Sequence, residues 1–324
     1  PQAWMDAHLG LTYIENIKNA LVELDPDNAD IFEFNYKAYR QQMEAMDKKI
    51  ATAVLSIPEQ QRVLITSHDA FHYFGDAYGI EFLAVQGAGD ETEPSARDIA
   101  QLIQQIKKES VKAIFVESIS NSRVIEQIAR ETGARIHVLH ISTREEIAFL
   151  RDHKDVASCE ATPHHLTLAA PECYARLGSR AQMNPPVRDS RHRDGIWYGI
   201  AQGIVDILGS DHAPHTLEEK ARTYPASPSG MTGVQTLVPV MLDHVNAGRL
   251  SLARFVDLTS AGPARLFNIA MKGRIAAGYD ADLTIVDLKR RETITNAWTA
   301  SRAGWTPYDG LPVKIDEVQR EAAE

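Results

Sequence analysis

The chain has only two cysteines, Cys159 and Cys173, and they lack CxxC spacing. Neither a disulfide framework nor a thiolate zinc site is indicated, which leaves ordinary thiols. No apolar run approaches the roughly 18 residues that a bilayer span needs, and no charged-then-apolar leader precedes the first helix. Positive charge is also in deficit: 34 Lys+Arg stand against 44 Asp+Glu, a net charge of −10. That balance gives no electrostatic reason to approach nucleic acid or an anionic membrane. The expected setting is cytoplasmic, with a small molecule as partner and room for a homo-oligomer. Residue 1 is Pro1 rather than Met, so the numbered start is not read as a translation start, and a removed leader stays open.

An apolar fraction of 44% and a charged fraction of 24% over 324 residues fit a globular protein long enough for two cores. In LDPDNADIFEFNYKAYRQQMEAMDKKI, Asp25 stands where an N-cap belongs and Pro26 at the first helical position. Phe32, Tyr36, Tyr39, Met43, Met46 and Ile50 follow at gaps of four and three, which predicts one core-facing stripe on a long helix. A βα rhythm comes next: VLITSH, FLAVQG, SARDIAQLIQQIKKE, AIFVES and SRVIEQIARETG. Strands alternating with helices predict a parallel sheet.

PQAWMD, LDPDNA, TSHDAFHYFGDAYGIE, ETEPSARDIAQL and AIFVES together resemble the substrate-binding proteins that feed zinc or manganese to ABC importers, over about residues 1–135. The resemblance covers the linker helix and most of the second lobe of that family. It implies that His68 of TSHDAF is a metal ligand, with a weaker claim for His72, whereas the position of a second ligand histidine is Gln2 here. A carboxamide is a poor zinc ligand beside imidazole.

From HVLHIST onward the motifs change. TPHHLTL, MNPPVR, IVDILGSDHAPHT, PSGMTG, GPARLF and KGRIAAGYDADLTIVDL follow in order. A strand ending in Asp211-His212, with His215 in the next turn, brings a carboxylate and imidazoles to the C-terminal edge of a parallel sheet, where barrel enzymes build their sites. Such a set suits metal-assisted hydrolysis.

HVLHIST, TPHHL, MNPP, GSDHAPHT with EEK after it, and KGRIAAGYDADL closely resemble dihydroorotase, a cyclic amidohydrolase, over about residues 131–310. The resemblance implies a (β/α)₈ barrel with two zinc ions and an appended β-sandwich. The implied reaction is reversible ring closure of N-carbamoyl-aspartate to dihydroorotate, in which a metal-bridging hydroxide attacks the ring amide. Carried over by position, His140 is a zinc ligand and Asp211 both a ligand and the catalytic proton shuttle. Asn184 and His215 hold the substrate, with backbone around Ser229 and Gly230 closing over it. His137 and His140, three apart on a strand, are expected to face opposite sides. His164 and His165 are expected to be structural, Asp280 and Asp282 to serve a turn, and Trp305 and Tyr308 to pack.

Other features depart from that family. No HxH pair exists in the chain, and the family's bridging lysine or aspartate and strand-five histidine all fall before HVLHIST, where the other resemblance holds. The tail VKIDEVQREAAE reads as a charged, helix-like end where sandwich strands are expected. The sequence therefore reads as a chimera joined within residues 130–137. The expected divisions are residues 1–135 as a metal-receptor-like lobe, 136–262 as a partial barrel and 263–324 as a small C-terminal β segment with its tail.

Six strands are predicted, beginning near Val63, Phe82, Ala113, Ile136, Val156 and Ile204. A barrel closes with eight, so an open or imperfectly closed α/β sheet is expected. Three function classes follow: a dihydroorotase-type hydrolase, inactive for lack of ligands; a zinc- or manganese-binding importer component; and a folded, inactive α/β chimera. A weak zinc site joining His68, His140 and Asp211 is a further expectation.

Overall fold

The computed structural model describes residues 5–66, 71–84, 96–108, 111, 113–116, 122–313 and 319–322. The chain divides into two compact units, Pro1–Val116 with Arg123–Ile136, and Glu117–Ser122 with His137–Glu324.

In the first unit, Asp6 caps α1 (Ala7–Leu24) by accepting from the amides of His8 and Leu9 at 2.8 and 3.3 Å. Pro26 opens a single 3₁₀ turn, so α2 (Ala29–Leu55) starts three residues later than the sequence signal places it. Asp25 supports that turn, accepting from Asn28 Nδ2 at 2.7 Å. Lys18 meets Glu33 while Ala7 clusters with Val54, so α1 and α2 run antiparallel. The α2 stripe is only half-buried, with Tyr39 54% and Met46 46% exposed; α1 covers part of it and Ile50 and Val54 near its end pack with Phe74 and Tyr78, and such narrow contacts leave the rest of a helix face open.

Strands β1 (Val63–Thr66), β2 (Glu81–Ala84) and β3 (Ala113–Val116) alternate with α3 (His72–Tyr78), α4 (Ala96–Lys108) and α5 (Ser122–Thr132). Their order is β2-β1-β3, parallel, with Val63 opposite Glu81 and Ile65 opposite Ile114. After α5, Gly133 takes a φ of +69° and donates to Ala129 O at 2.8 Å. This left-handed residue ends the helix at little steric cost and releases the chain into β4 (Arg135–Val138), within which the division between the units falls.

In the second unit the order is β4-β5-β6, with β5 (Ala157–Ala161) and β6 (Ile207–Leu208) parallel. All five β5 residues are buried, as expected of a strand covered on both faces. Thr143 and Glu146 form a reciprocal capping box at the start of α6 (Arg144–Arg151). After β5 come α7 (Pro163–Thr167), α8 (Glu172–Leu177) and α9 (Ser190–Ala201). Beyond β6 lie α10 (Leu217–Lys220), α11 (Leu237–Asn246), α12 (Leu252–Val256) and α13 (Gly262–Leu266). Trp305, Tyr308 and Val313, all nearly fully buried, join Met183, Val187 and Met231 in one core cluster.

All six predicted strands form, but among the described residues no sheet is seen to close into a barrel. The tail corrects its sequence reading. Gln319–Ala322 forms β10, antiparallel to β7 (Asp282–Ile285), with Gln319 opposite Ile285 and Ala322 opposite Asp282. The open edge of β7 offers backbone partners that outweigh the helix propensity of the segment. Strand β8 (Glu292–Thr293) pairs similarly with β9 (Pro312–Val313). No helix among the described residues is long and apolar enough to cross a membrane.

Helices α6 and α9 meet through glycines. A Cβ on Gly195 would sit 2.2 Å from Arg144 Cβ and 2.9 Å from its Cα, and one on Gly199 would sit 2.5 Å from Ile147 Cδ1. Gly195→Ala gains about 1 kcal/mol of helix propensity, but the overpacking it forces against backbone costs about 1–3 kcal/mol. The expected net outcome is a lower urea midpoint for the second unit; an unchanged or higher midpoint would contradict this packing.

Candidate active site

The second unit places His140 just past the end of β4 and Asp211 three residues past β6. Both backbones are left-handed, with φ of +54° and +43°. Such conformations cost non-glycine residues free energy and persist only where the surroundings fix them. His140 Nε2 and Asp211 Oδ1 lie 3.7 Å apart, and each side chain keeps a small exposed fraction.

Behind His140 stands Glu160 of β5, a buried carboxylate. Its Oε1 lies 2.7 Å from His140 Nδ1 and its Oε2 lies 3.4 Å from His137 Nε2. His137 Nδ1 is 2.8 Å from Ser158 Oγ. Both imidazoles therefore reach one carboxylate, contrary to the opposite-faces expectation. The reason is local: β4 ends at Val138, so strand alternation no longer applies at His140, whose left-handed backbone redirects the side chain. Burial alone would raise the Glu160 carboxyl, but hydrogen bonds from His137 and His140, with their attraction, more than offset it and bring the pKa down to about 2. Gly209 makes room for this group, since a Cβ there would fall 2.2 Å from Glu160 Oε1.

The substrate-binding candidates gather in loops of the same unit. His215 Nε2 lies 3.0 Å from Ser229 O, and a Cβ on Gly230 (φ +132°) would sit 3.2 Å from His215 Cδ2. Gly230 N donates to Gln182 O at 2.9 Å, which brings the Ser229–Gly230 segment to the loop carrying the exposed Asn184. His164 and His165 are fully buried, and burial, reinforced for His164 by neighbouring His165, His140 and His212, lowers their pKa values to about 3 and 4. His165 Nε2 donates to Pro185 O at 2.9 Å, and His164 Nδ1 lies 2.9 Å from Tyr308 Oη. Trp305 Nε1 donates to His215 O at 2.7 Å, so the two aromatics hold site loops as well as packing.

The zinc expectation can be tested on these donors. Two ligands of one zinc ion, each about 2 Å from it, can be at most about 4 Å apart, so the His140–Asp211 spacing of 3.7 Å allows a shared ion. However, no group of three or more His, Cys, Asp or Glu side chains is placed to hold a metal among the described residues. The described residues do not make a two-zinc centre. His68 lies outside the described residues.

The amidohydrolase family model matches residues 83–307, more than half of the chain. The chain belongs to the amidohydrolase family. The model of the periplasmic zinc-uptake complex component A matches residues 1–149 of this amidohydrolase-family chain. Dihydroorotase of Methanosarcina mazei is 39% identical over 209 residues, 61% of this chain and 46% of the relative. Dihydroorotase of Halobacterium salinarum is 40% identical over 194 residues, 60% of this chain and 45% of the relative. The chain thus spans about half the length of the curated relatives it matches.

Among solved structures, L-hydantoinase (dihydropyrimidinase) from Arthrobacter aurescens superposes with a TM-score of 0.63 at 26% identity, covering 75% of this chain and 65% of that one. D-hydantoinase from Thermus sp. gives a TM-score of 0.60 at 24% identity, covering 68% and 58%. The fold is therefore amidohydrolase-like in topology, joined to a lobe resembling a metal-binding receptor.

Sequence reasoning passed over Glu160 and Lys220. The signal for Glu160 was a lone acid in the otherwise small, uncharged strand ASCEA, a setting that demands partners. Glu160→Gln removes the charge that both imidazoles meet, and the expected loss is about 1.5–3 kcal/mol near neutral pH. Because the folded carboxyl ionises below its ordinary value of 4.5, the stability it contributes is complete above that pH and drains as pH falls toward about 2. Urea unfolding of both proteins from pH 7 to pH 2 should show the difference narrow across that window; a constant difference would refute the charged state of Glu160.

Proposed function

We propose that the second unit is a dihydroorotase-type amidohydrolase module that binds N-carbamoyl-aspartate or dihydroorotate and turns it over poorly or not at all. The observation that carries this reading is the approach of His140 Nε2 to Asp211 Oδ1 at 3.7 Å, both on left-handed backbone. In this reading Asp211 holds and returns a proton, Asn184 and His215 grip the polar ends of the ligand, and backbone at Ser229 and Gly230 closes over it. The residue divisions 1–135, 136–262 and 263–324 belong to the same proposal, with 136–262 a partial barrel. Zinc is at most weakly held, because two donors leave the ion open to water and exchange.

Catalytic groups that act as one unit lose nearly all their effect when part of the unit is missing. The chain has no HxH pair. Dihydroorotate hydrolysis by the purified chain with added zinc should fall at least about 10³-fold below an intact dihydroorotase. Turnover within about tenfold of an intact family member, lost on Asp211→Ala, would overturn the inactive assignment.

The zinc-uptake match over residues 1–149 favours a second reading, in which the first unit contributes to a zinc- or manganese-binding importer component. Its family clamps metal between two lobes, so tight binding by one lobe is not expected. Calorimetry with zinc decides the matter: tight binding abolished by His68→Ala yet retained in His140→Ala would establish the importer reading.

A further inference from the structure

The second unit contains a fully buried lysine with no role so far. Lys220 closes α10, and its side chain has no exposed surface. Burial lowers its pKa to about 8, with no nearby charge contributing. An ammonium withdrawn from water needs acceptors, and Lys220 Nζ donates to two main-chain oxygens, Gln182 O at 2.9 Å and Pro228 O at 2.8 Å. The lysine's own carbonyl is held in turn by the hydroxyls of Ser179 and Ser227.

The positions of those two oxygens give the lysine its meaning. Gln182 lies two residues before Asn184, and Pro228 immediately before Ser229. Gln182 O also accepts from Gly230 N at 2.9 Å, and Gln182 Nε2 donates to Ser229 Oγ at 3.3 Å. On the other side of Asn184, His165 holds Pro185 O. Asn184 therefore hangs between two pinned carbonyls, and the Gln182 side is the one tied directly to the Ser229–Gly230 segment by Gly230 N and Ser229 Oγ.

We propose that Lys220 is a positioning residue for the substrate pocket: its buried ammonium clamps the segment carrying Asn184 to the segment carrying Ser229 and Gly230, fixing the gap that receives an N-carbamoyl dicarboxylic acid. The clamp itself follows from the bonds above; its tie to a ligand rests on the proposed dihydroorotase-type reading. A charged donor suits this task better than a neutral one. It bonds two carbonyls more strongly than an amide or hydroxyl would, and once desolvated it cannot leave them without losing both partners.

Two measurements on the full chain separate the clamp from the ligand reading. Hydrogen exchange without ligand compares wild type with Lys220→Met, which keeps the length and loses the donors. The Gly230 amide should exchange about tenfold faster in the variant, while amides of α11 stay unchanged. Calorimetry with N-carbamoyl-L-aspartate should show about tenfold weaker binding by Lys220→Met, about 1.4 kcal/mol, and recovery to within a few fold in Lys220→Arg, which restores a cation with several donors.

Unchanged Gly230 exchange overturns the clamp. Equal affinity of wild type and Lys220→Met overturns the positioning role. If wild type binds no N-carbamoyl-L-aspartate, the ligand reading falls with the pocket role, and exchange alone decides the clamp. Should Lys220→Met not fold, Lys220→Leu, which also lacks donors, carries the same comparison, and failure of both to fold assigns Lys220 to stability and overturns the proposal.

Discussion

A carboxylate kept from water on a parallel strand dictates much of the second unit. Glu160 could not stay ionised inside β5 without partners, and the two that reach it are His137 and His140. To supply them, β4 has to stop at Val138 and His140 has to take a left-handed backbone. To accommodate the carboxylate, the residue after β6 has to lack a side chain, and Gly209 does. Asp211 follows two residues later, so the same arrangement sets the distance between Nε2 of the His140 ring and the Asp211 carboxylate.

A second tier of buried polar groups holds the loops around that pair. Lys220, His165 and Trp305 each place a donor on a main-chain carbonyl: Gln182 and Pro228, Pro185, and His215. Carbonyls in irregular loops have no ladder to join, so side-chain donors must satisfy them when they are buried. Met183, Val187 and Met231 pack on Trp305, Tyr308 and Val313 beneath. The C-terminal segment thus packs beneath the loops of the candidate site, with Trp305 bonded to His215 O and Tyr308 beside His164.

Membership in the amidohydrolase family does not by itself carry the family's chemistry into this chain. The match to dihydroorotases covers about half of those proteins, and residues 1–149 match a zinc-uptake component. The two family matches overlap across residues 83–149, a region of βα repeats. Within that overlap Gly133 stops α5 on a left-handed backbone and lets β4 begin two residues later.

Periodicity and motif order in the sequence were enough to place the six strands, the long α2 helix and the α/β class, because apolar spacing and glycine or proline punctuation act over a few residues. The resemblance to dihydroorotase, carried by local motif strings, named His140, Asp211, Asn184, His215, Ser229 and Gly230 as candidates. The half-exposed α2 stripe, the pairing of Gln319–Ala322 with β7 and the meeting of His137 with His140 on Glu160 were decided by tertiary structure alone. Each depends on what another segment offers: partial cover by neighbouring helices, an open strand edge, or a buried carboxylate that must be paired. The same holds for Lys220, since nothing beside it in the chain reveals that its ammonium ends between Gln182 O and Pro228 O.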